Sequence, residues 1–258
     1  WTMPLKSSDV GKPVRDVLSR PEFKTVSNVH GDLQRLSIGR APDGQVAMQM
    51  NIRKGTNPPT TYILAPLGDK GVKAACLSLR VYFQPGFEWA PKGSTKLGFG
   101  LWGGGHTKNT GGTLPNQQEG WTVRNGHTLY GVRLYSYHLN RSSQYGETTG
   151  SGLARWGSKD WRPGQWHDIE MEVVVNDNGK SNGYTQMWLN GHLHQMMKNL
   201  RFSNNGQWMV RGLHASDMWG GSYEKPDFFS PKTQKMWYAE YKIYANMNNN
   251  AGTTNPSS

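Results

Sequence analysis

The chain contains a single cysteine, Cys76, among its 258 residues. An internal disulfide is therefore impossible, and a cysteine-rich zinc site is excluded as well. Cys76 lies in the apolar segment Ala74–Leu79, so we expect a buried, unreactive thiol. The fold must depend on a hydrophobic core, which a chain of this length can form without covalent cross-links.

Long apolar segments and cofactor motifs are also missing. No stretch approaches the roughly 18 apolar residues of a membrane span, and no segment of about twelve residues keeps a helical apolar stripe. Glycine-rich phosphate loops, the His-Glu-x-x-His motif and the Gly-x-Ser-x-Gly elbow are absent. His192 and His194 share a strand face, but we interpret the pair as solvent-facing hairpin residues. The sequence thus predicts no cofactor and no metal.

Acidic residues are scarce relative to basic ones. The chain has 18 Asp and Glu against 29 Lys and Arg, a formal net charge of +11. Such a charge favours a polyanionic partner, although it also serves solubility alone. No arginine-rich helix or RNA-binding aromatic motif points to nucleic acid. We therefore expect an acidic polysaccharide as the partner, and neither nucleic acid nor a membrane.

Aromatic residues and glycines are abundant, with 11 Trp, 11 Tyr and 32 Gly. This composition, with many short alternating segments, predicts an all-β jelly-roll sandwich of two antiparallel sheets. Asn190-Gly191 is a strong hairpin signal, and one helical turn is expected near Val14–Leu18. The predicted strands are Gln45–Ile52, Val72–Phe83, Lys96–Trp102, Leu129–Leu139, Trp166–Val175, Tyr184–Leu189, His192–Gln195, Gln207–Leu213 and Lys235–Tyr244, with a further strand at Thr122–Arg124.

The sequence shows neither an internal repeat nor a domain boundary. We expect residues 1–247 to form one domain, and the polar segment 248–258 to be a disordered tail or linker stub. The chain begins at Trp1 and shows no signal peptide, as a mature secreted protein would. Secretion and a monomeric state are our expectations for it.

Three carboxylates alternate along one predicted strand. Asp168, Glu170 and Glu172 share a face, and paired acids on a concave sheet are typical of retaining glycosidases. The pattern resembles the Glu-x-Asp-x-Glu strand of laminarinase-like glucanases, but the order here is Asp-x-Glu-x-Glu. Because Ile169 and Met171 occupy the opposite face, we interpret the acids as the solvated convex side of a sheet.

Basic and phenolic residues alternate on two other predicted strands. Thr122 and Arg124 share one face, and Tyr135 and Tyr137 share another. Lys96 precedes a glycine-rich segment. A hairpin between the two strands would place cations beside phenols. Such residues are also common on β-strands without any catalytic role, and this alternative explains them equally well.

This combination suits β-elimination from a 4-linked uronate. The reaction removes the C5 proton next to a carboxylate, whose negative charge makes that proton very weakly acidic. A cation that neutralises the carboxylate stabilises the developing anion. Proton transfer needs a base and an acid, and a tyrosine serves as either when cations lower its pKa from about 10. The chemistry requires neither a metal nor a nucleophile.

These residues resemble polysaccharide lyase family 14, the alginate and glucuronan lyases. Lys96-Leu97, Thr122-Val123-Arg124 and Tyr135-Ser136-Tyr137 occur in the family's order, and Gln144-Tyr145-Gly146 follows them as in the family. The likeness spans residues 73–244. Thr122 stands where the family usually has serine, and the interval between the arginine and the tyrosines is about one residue shorter.

The resemblance implies a concave substrate cleft and a role for each matching residue. Lys96 and Arg124 would neutralise the uronate carboxylate, and Tyr135 and Tyr137 would transfer protons, with Tyr137 favoured as the catalytic phenol. Further residues that would bind substrate are Thr122, His106, Asn116, Gln117 and Gln118.

Three hypotheses remain open at this point. The first is a lyase acting on alginate, glucuronan or a related uronate polymer. The second is a glucan hydrolase of similar sandwich fold that uses Asp168, Glu170 and Glu172, and the third is a non-catalytic carbohydrate-binding module. An unsaturated, ultraviolet-absorbing product distinguishes the lyase from both alternatives.

Overall fold

The structure, a computed structural model, consists almost entirely of β-strands. It describes residues 2–23, 28–30, 33–57, 61–67, 71–92, 94–105, 112–128, 131–148, 157–218 and 224–245. His106 and the tail 248–258 lie outside these residues. No helix in the described part is long and apolar enough to cross a membrane.

Thirteen strands are formed by the described residues, and every pairing between them is antiparallel. The predicted helical turn is present as α1 (Val14–Leu18). The strands are β1 (Asn28–His30), β2 (Leu36–Arg40), β3 (Val46–Ile52), β4 (Thr61–Pro66), β5 (Ala74–Phe83), β6 (Ser94–Gly104), β7 (Gly120–Thr128), β8 (Gly131–Tyr137), β9 (Trp166–Val174), β10 (Gly183–Leu189), β11 (His192–Leu200), β12 (Val210–Met218) and β13 (Gln234–Ala245).

The strands form two sheets, as the jelly-roll prediction requires. A six-stranded sheet has the order β1-β4-β12-β6-β7-β8, and a seven-stranded sheet has the order β11-β10-β9-β5-β13-β3-β2. Neighbours in each sheet are mostly distant in the chain, as in a jelly roll. The prediction of a two-sheet all-β sandwich is confirmed.

Alternating apolar side chains form the core between the sheets. Leu77, Val81 and Phe83 of β5 are buried, and Met171 and Val173 of β9 pack in the same cluster. The alternation of apolar and polar residues by which these strands were predicted therefore also indicates which of their residues face the core. The opposite face of these two strands carries polar residues such as Ser78, Arg80 and Glu170.

The hairpin predicted at Asn190-Gly191 joins β10 to β11. Asn190 has a φ of 51° and Gly191 a φ of 80°, and Leu189 pairs with His192 directly across the turn. Positive φ at both central residues is the geometry of a type I′ turn, which matches the twist of the two strands.

Cys76 does not occupy the position that the sequence suggested. It is half-buried, not buried, because it alternates with the core residues Ala75 and Leu77 and thus lies on the outer face of β5. Burial, followed by the charges of Glu172 and Glu170, raises the pKa of its thiol to about 11. The thiol therefore stays protonated at neutral pH, which agrees with the expected low reactivity.

The three carboxylates of β9 lie on the outer face of the seven-stranded sheet. Asp168 and Glu170 are exposed, and Asp168 forms an ion pair with Arg80 at 2.9 Å. Glu172 accepts a hydrogen bond from Gln186 at 2.6 Å. The interpretation of these acids as a solvated sheet face is confirmed.

A glycine in β6 makes room for Arg124 on the neighbouring strand. Gly100 pairs with Arg124 across β6 and β7. A Cβ atom at Gly100 would lie 2.7 Å from Cγ of Arg124 and would also overlap the carbonyl oxygen of Val123. The absence of a side chain at this position therefore allows the aliphatic part of Arg124 to lie across β6.

We expect Gly100→Ala to destabilise the fold by about 1–3 kcal/mol, because the added methyl group meets a backbone oxygen that cannot move away cheaply. Urea unfolding measures this cost. Gly39→Ala in β2 is the matched control, since its methyl group would meet only atoms of the Gln49 side chain. Equal stability of Gly100→Ala and the wild type would contradict the packing described here.

Candidate active site

The residues singled out on β7 and β8 lie directly opposite one another. Thr122 pairs with Tyr137, and Arg124 pairs with Tyr135. Residues paired in this way project from the same face of a sheet, and the intervening Val123 belongs to the core. The predicted shared face is therefore present, on the outer side of the six-stranded sheet.

Tyr135 and Tyr137 form a hydrogen-bonded pair of phenols. Their hydroxyl oxygens are 3.3 Å apart, and their rings meet edge to face with centroids 5.5 Å apart. Tyr135 is half-buried, whereas Tyr137 is 2% exposed. Of the two tyrosines, Tyr135 is therefore the more exposed.

Arg124 contacts both tyrosine rings. Its Cζ atom lies 5.6 Å from the centroid of Tyr135 and 5.4 Å from that of Tyr137. The arginine is 4% exposed, so little water screens its charge. A desolvated guanidinium at this distance interacts favourably with the rings and more strongly with a phenolate.

Two backbone amides donate hydrogen bonds to the phenol oxygens. The N–H of Gly146 donates to Tyr135 over 3.1 Å, and the N–H of Gly112 donates to Tyr137 over 3.3 Å. A Cβ atom at Gly146 would lie 2.8 Å from Cζ of Tyr135 and 2.9 Å from Cε2 of Tyr137. Only glycine therefore allows the backbone to pass this close to the pair.

Tyr135 keeps its proton to high pH. Burial, followed by the hydrogen bond and charge of Tyr137, raises the pKa of Tyr135 to about 12. The Gly146 amide and the Arg124 guanidinium oppose the rise only partly. At neutral pH this phenol is thus a proton donor.

The other predicted site residues are placed as follows. Lys96 lies on β6 opposite Gly126 and beside Met218 of β12, and its side chain is outside the described atoms. Thr122 is buried, and Asn116 and Gln117 are exposed on a short 3₁₀ turn.

Gln118 is buried beside Tyr137 and contacts the backbone. Its Nε2 atom donates to the carbonyl oxygens of Gly120 at 2.6 Å and Tyr137 at 3.4 Å. Both amide hydrogens are therefore engaged in holding the strand ends together. The expected donation to substrate would require these bonds to break.

Sequence reasoning did not identify Arg141, which also contacts the tyrosine pair. Its Cζ atom lies 4.9 Å from the centroid of Tyr137. Close by, Nε2 of His138 is 3.2 Å from a carboxylate oxygen of Glu147. These residues follow β8 in a segment without periodicity, so the sequence offers no signal for their contacts.

Solved structures of polyuronate lyases are similar to this chain. The marine PL-14 alginate lyase from Aplysia kurodai is 22% identical with a TM-score of 0.73, over 95% of this chain and 98% of that one. An alginate lyase from Chlorella virus is 17% identical with a TM-score of 0.65, over 89% and 96%. The endo-β-1,4-glucuronan lyase from the fungus Trichoderma reesei is 10% identical with a TM-score of 0.58, over 86% and 91%.

These likenesses establish the jelly-roll fold. A comparison with curated protein sequences gave no match. The model of the family Polysaccharide lyase 14 matches residues 41–241, which include both tyrosines, Arg124 and Lys96. The chain belongs to polysaccharide lyase family 14 and is a polysaccharide lyase.

Proposed function

We propose that this lyase cleaves a 4-linked uronate polymer, either alginate rich in mannuronate or glucuronan, by metal-independent β-elimination. The observation that carries the proposal is the contact of Arg124 with a pair of hydrogen-bonded phenols. The net charge of +11 favours an acidic polymer. The similar structures described above are named as lyases of alginate and glucuronan.

Positive charge is the first requirement of the reaction. Arg124 supplies a permanent charge beside the phenols, and Lys96 adds a second one by analogy with the family. Together they neutralise the uronate carboxylate and stabilise the anion that forms when C5 loses its proton. A metal is not needed for this step, because the side chains provide the charge themselves.

The tyrosine pair carries out the proton transfers as a unit. In the reactive state it holds one proton fewer, with the negative charge on Tyr137. Tyr135, the more exposed phenol, takes the C5 proton as it passes its own proton to Tyr137 across their 3.3 Å hydrogen bond. The C5 electrons form the C4=C5 double bond, the C4–O4 bond breaks, and Tyr135 protonates O4. Tyr137 then returns its proton to Tyr135, which restores the starting state of the pair.

This division of roles differs from the sequence-based preference for Tyr137 as the catalytic phenol, and it follows from the surroundings of each phenol. Tyr135 has a pKa raised to about 12, which suits the donor of a proton to the leaving oxygen. Tyr137 is enclosed and contacts two guanidinium groups, which suits the holder of the negative charge. Because the two hydroxyl groups are hydrogen-bonded to each other, the pair acts as the base.

We also propose that the protein is secreted and acts as a monomer, because a polymeric uronate of cell walls or matrices lies outside the cell. Size-exclusion chromatography with light scattering tests the monomeric state, and fractionation of the producing cells tests secretion.

The direct test of function is a panel of polymannuronate, polyguluronate and glucuronan, with a neutral β-glucan as the control. We expect absorbance of the unsaturated product to rise with at least one polyuronate and not with the glucan. The double variant Glu170→Gln/Glu172→Gln should retain this activity, because both residues lie on the other sheet. New reducing ends without the absorbance change would indicate a hydrolase and contradict the proposal.

Replacing either phenol separates the two roles. We expect Tyr135→Phe to lower kcat by about 10²–10⁴-fold at every pH, because it removes the hydroxyl that contacts the sugar. Tyr137→Phe should lower activity comparably at neutral pH and recover partly in alkali, since Tyr135 must then ionise alone.

Tyr244→Phe is the matched control, because Tyr244 is 59% exposed on β13 of the other sheet. It should leave kcat and KM unchanged. Full activity of both Tyr135→Phe and Tyr137→Phe would refute the assignment of the phenols.

A further inference from the structure

Arg141 is a buried arginine that belongs to none of the family's matching motifs. It follows β8 and is 4% exposed. Its Nη1 atom donates to the carbonyl oxygen of His138 at 2.8 Å, and Nη2 donates to that of Thr113. The side chain therefore links the segment after β8 to the segment that precedes β7.

This guanidinium makes no close ion pair among the described residues, although the charge of Glu147 nearby raises its pKa. No carboxylate of the described residues lies within ion-pair distance of Arg141, and its Nε atom has no hydrogen-bond partner among them. Glu147, in the same segment, instead accepts bonds from Ser142 and contacts His138. Burial lowers the pKa of Arg141, so its charge is held there at a cost in free energy.

The tyrosine pair is the group beside Arg141 that takes on negative charge in the proposed reaction. The Cζ atom of Arg141 lies 4.9 Å from the centroid of Tyr137, closer than the 5.4 Å of Arg124. Two guanidinium groups thus contact one ring. Their mutual repulsion falls when a negative charge develops between them, which favours the ionised state of the pair.

Arg141 also fixes the backbone donor at Tyr137. Its bond to the carbonyl oxygen of Thr113 holds the residue next to Gly112, whose N–H donates to the Tyr137 oxygen over 3.3 Å. A donor fixed in this position stabilises a phenolate more than a phenol. The charge and the hydrogen bond therefore act on the same oxygen.

We propose that Arg141 is a positioning residue for the elimination: it holds the Gly112–Thr113 segment on Tyr137 and stabilises the anionic form of the tyrosine pair. The proposal rests on the function proposed above. It assigns to Arg141 no contact with the sugar, in contrast to Arg124 and Lys96.

The pH profile of kcat/KM distinguishes this role from a purely structural one. The charged groups that face the pair among the described residues are Arg124 from β7, Arg133 from β8 and Arg141 from the following segment, with His138 and Glu147 beside Arg141. In Arg141→Met the pair should ionise at higher pH, so the acid limb of the profile moves up by about one unit. Activity should fall about tenfold at neutral pH and approach the wild-type value in alkali.

Two further variants complete the comparison. Arg141→Lys keeps the charge but not both hydrogen bonds. The acid limb of its pH profile should therefore move up by less than that of Arg141→Met. Arg40→Met is the matched control for loss of an arginine, because Arg40 is exposed and donates to the carbonyl of Gly44 on the other sheet. A loss in Arg141→Met that is equal at every pH, or no loss, would overturn the proposal.

A tyrosinate titration tests the same claim without substrate. Ultraviolet absorbance of the wild type and of Arg141→Met is recorded against pH, and each curve is corrected with its own Tyr137→Phe counterpart. We expect the first ionisation to move to higher pH in Arg141→Met, and identical curves would refute the role of Arg141. If the wild type cleaved no polyuronate, the proposed function would fail, while this titration would still decide the role of Arg141.

Discussion

The contact of Arg124 with the two phenols is the interaction on which the proposed chemistry depends. A guanidinium that is 4% exposed acts on both rings at 5.4–5.6 Å through a medium with little water. In water the same charges would interact weakly, because the solvent screens them. The sheet itself holds this arrangement, since Gly100 on β6 leaves space for the arginine and β8 presents both tyrosines.

Strand register provides the accuracy that proton transfer requires. Arg124 stands opposite Tyr135, and Thr122 opposite Tyr137. A shift of one residue between β7 and β8 would turn the phenols into the core and Leu134 towards the substrate. The core on one face of the sheet thus fixes the site on the other.

Much of this arrangement was predictable from the sequence, because strands with a period of two reveal which residues share a face. The shared face of Tyr135 and Tyr137 and the solvated acids of β9 were predicted on that basis. The prediction that Cys76 is buried was wrong, because a mostly apolar segment does not indicate which of its residues point inward. Arg141 and the Gly112 amide were not foreseeable, since their contacts join irregular segments that carry no period.

A double-mutant cycle between Arg124 and Tyr137 measures most directly whether guanidinium and phenol act as one unit. The kcat/KM values of Arg124→Met, Tyr137→Phe and the double variant are compared with that of the wild type on a polyuronate. We expect the double variant to be little worse than the poorer single variant, because each change removes the same stabilised anion. Losses that simply multiply would contradict the coupling of the two side chains.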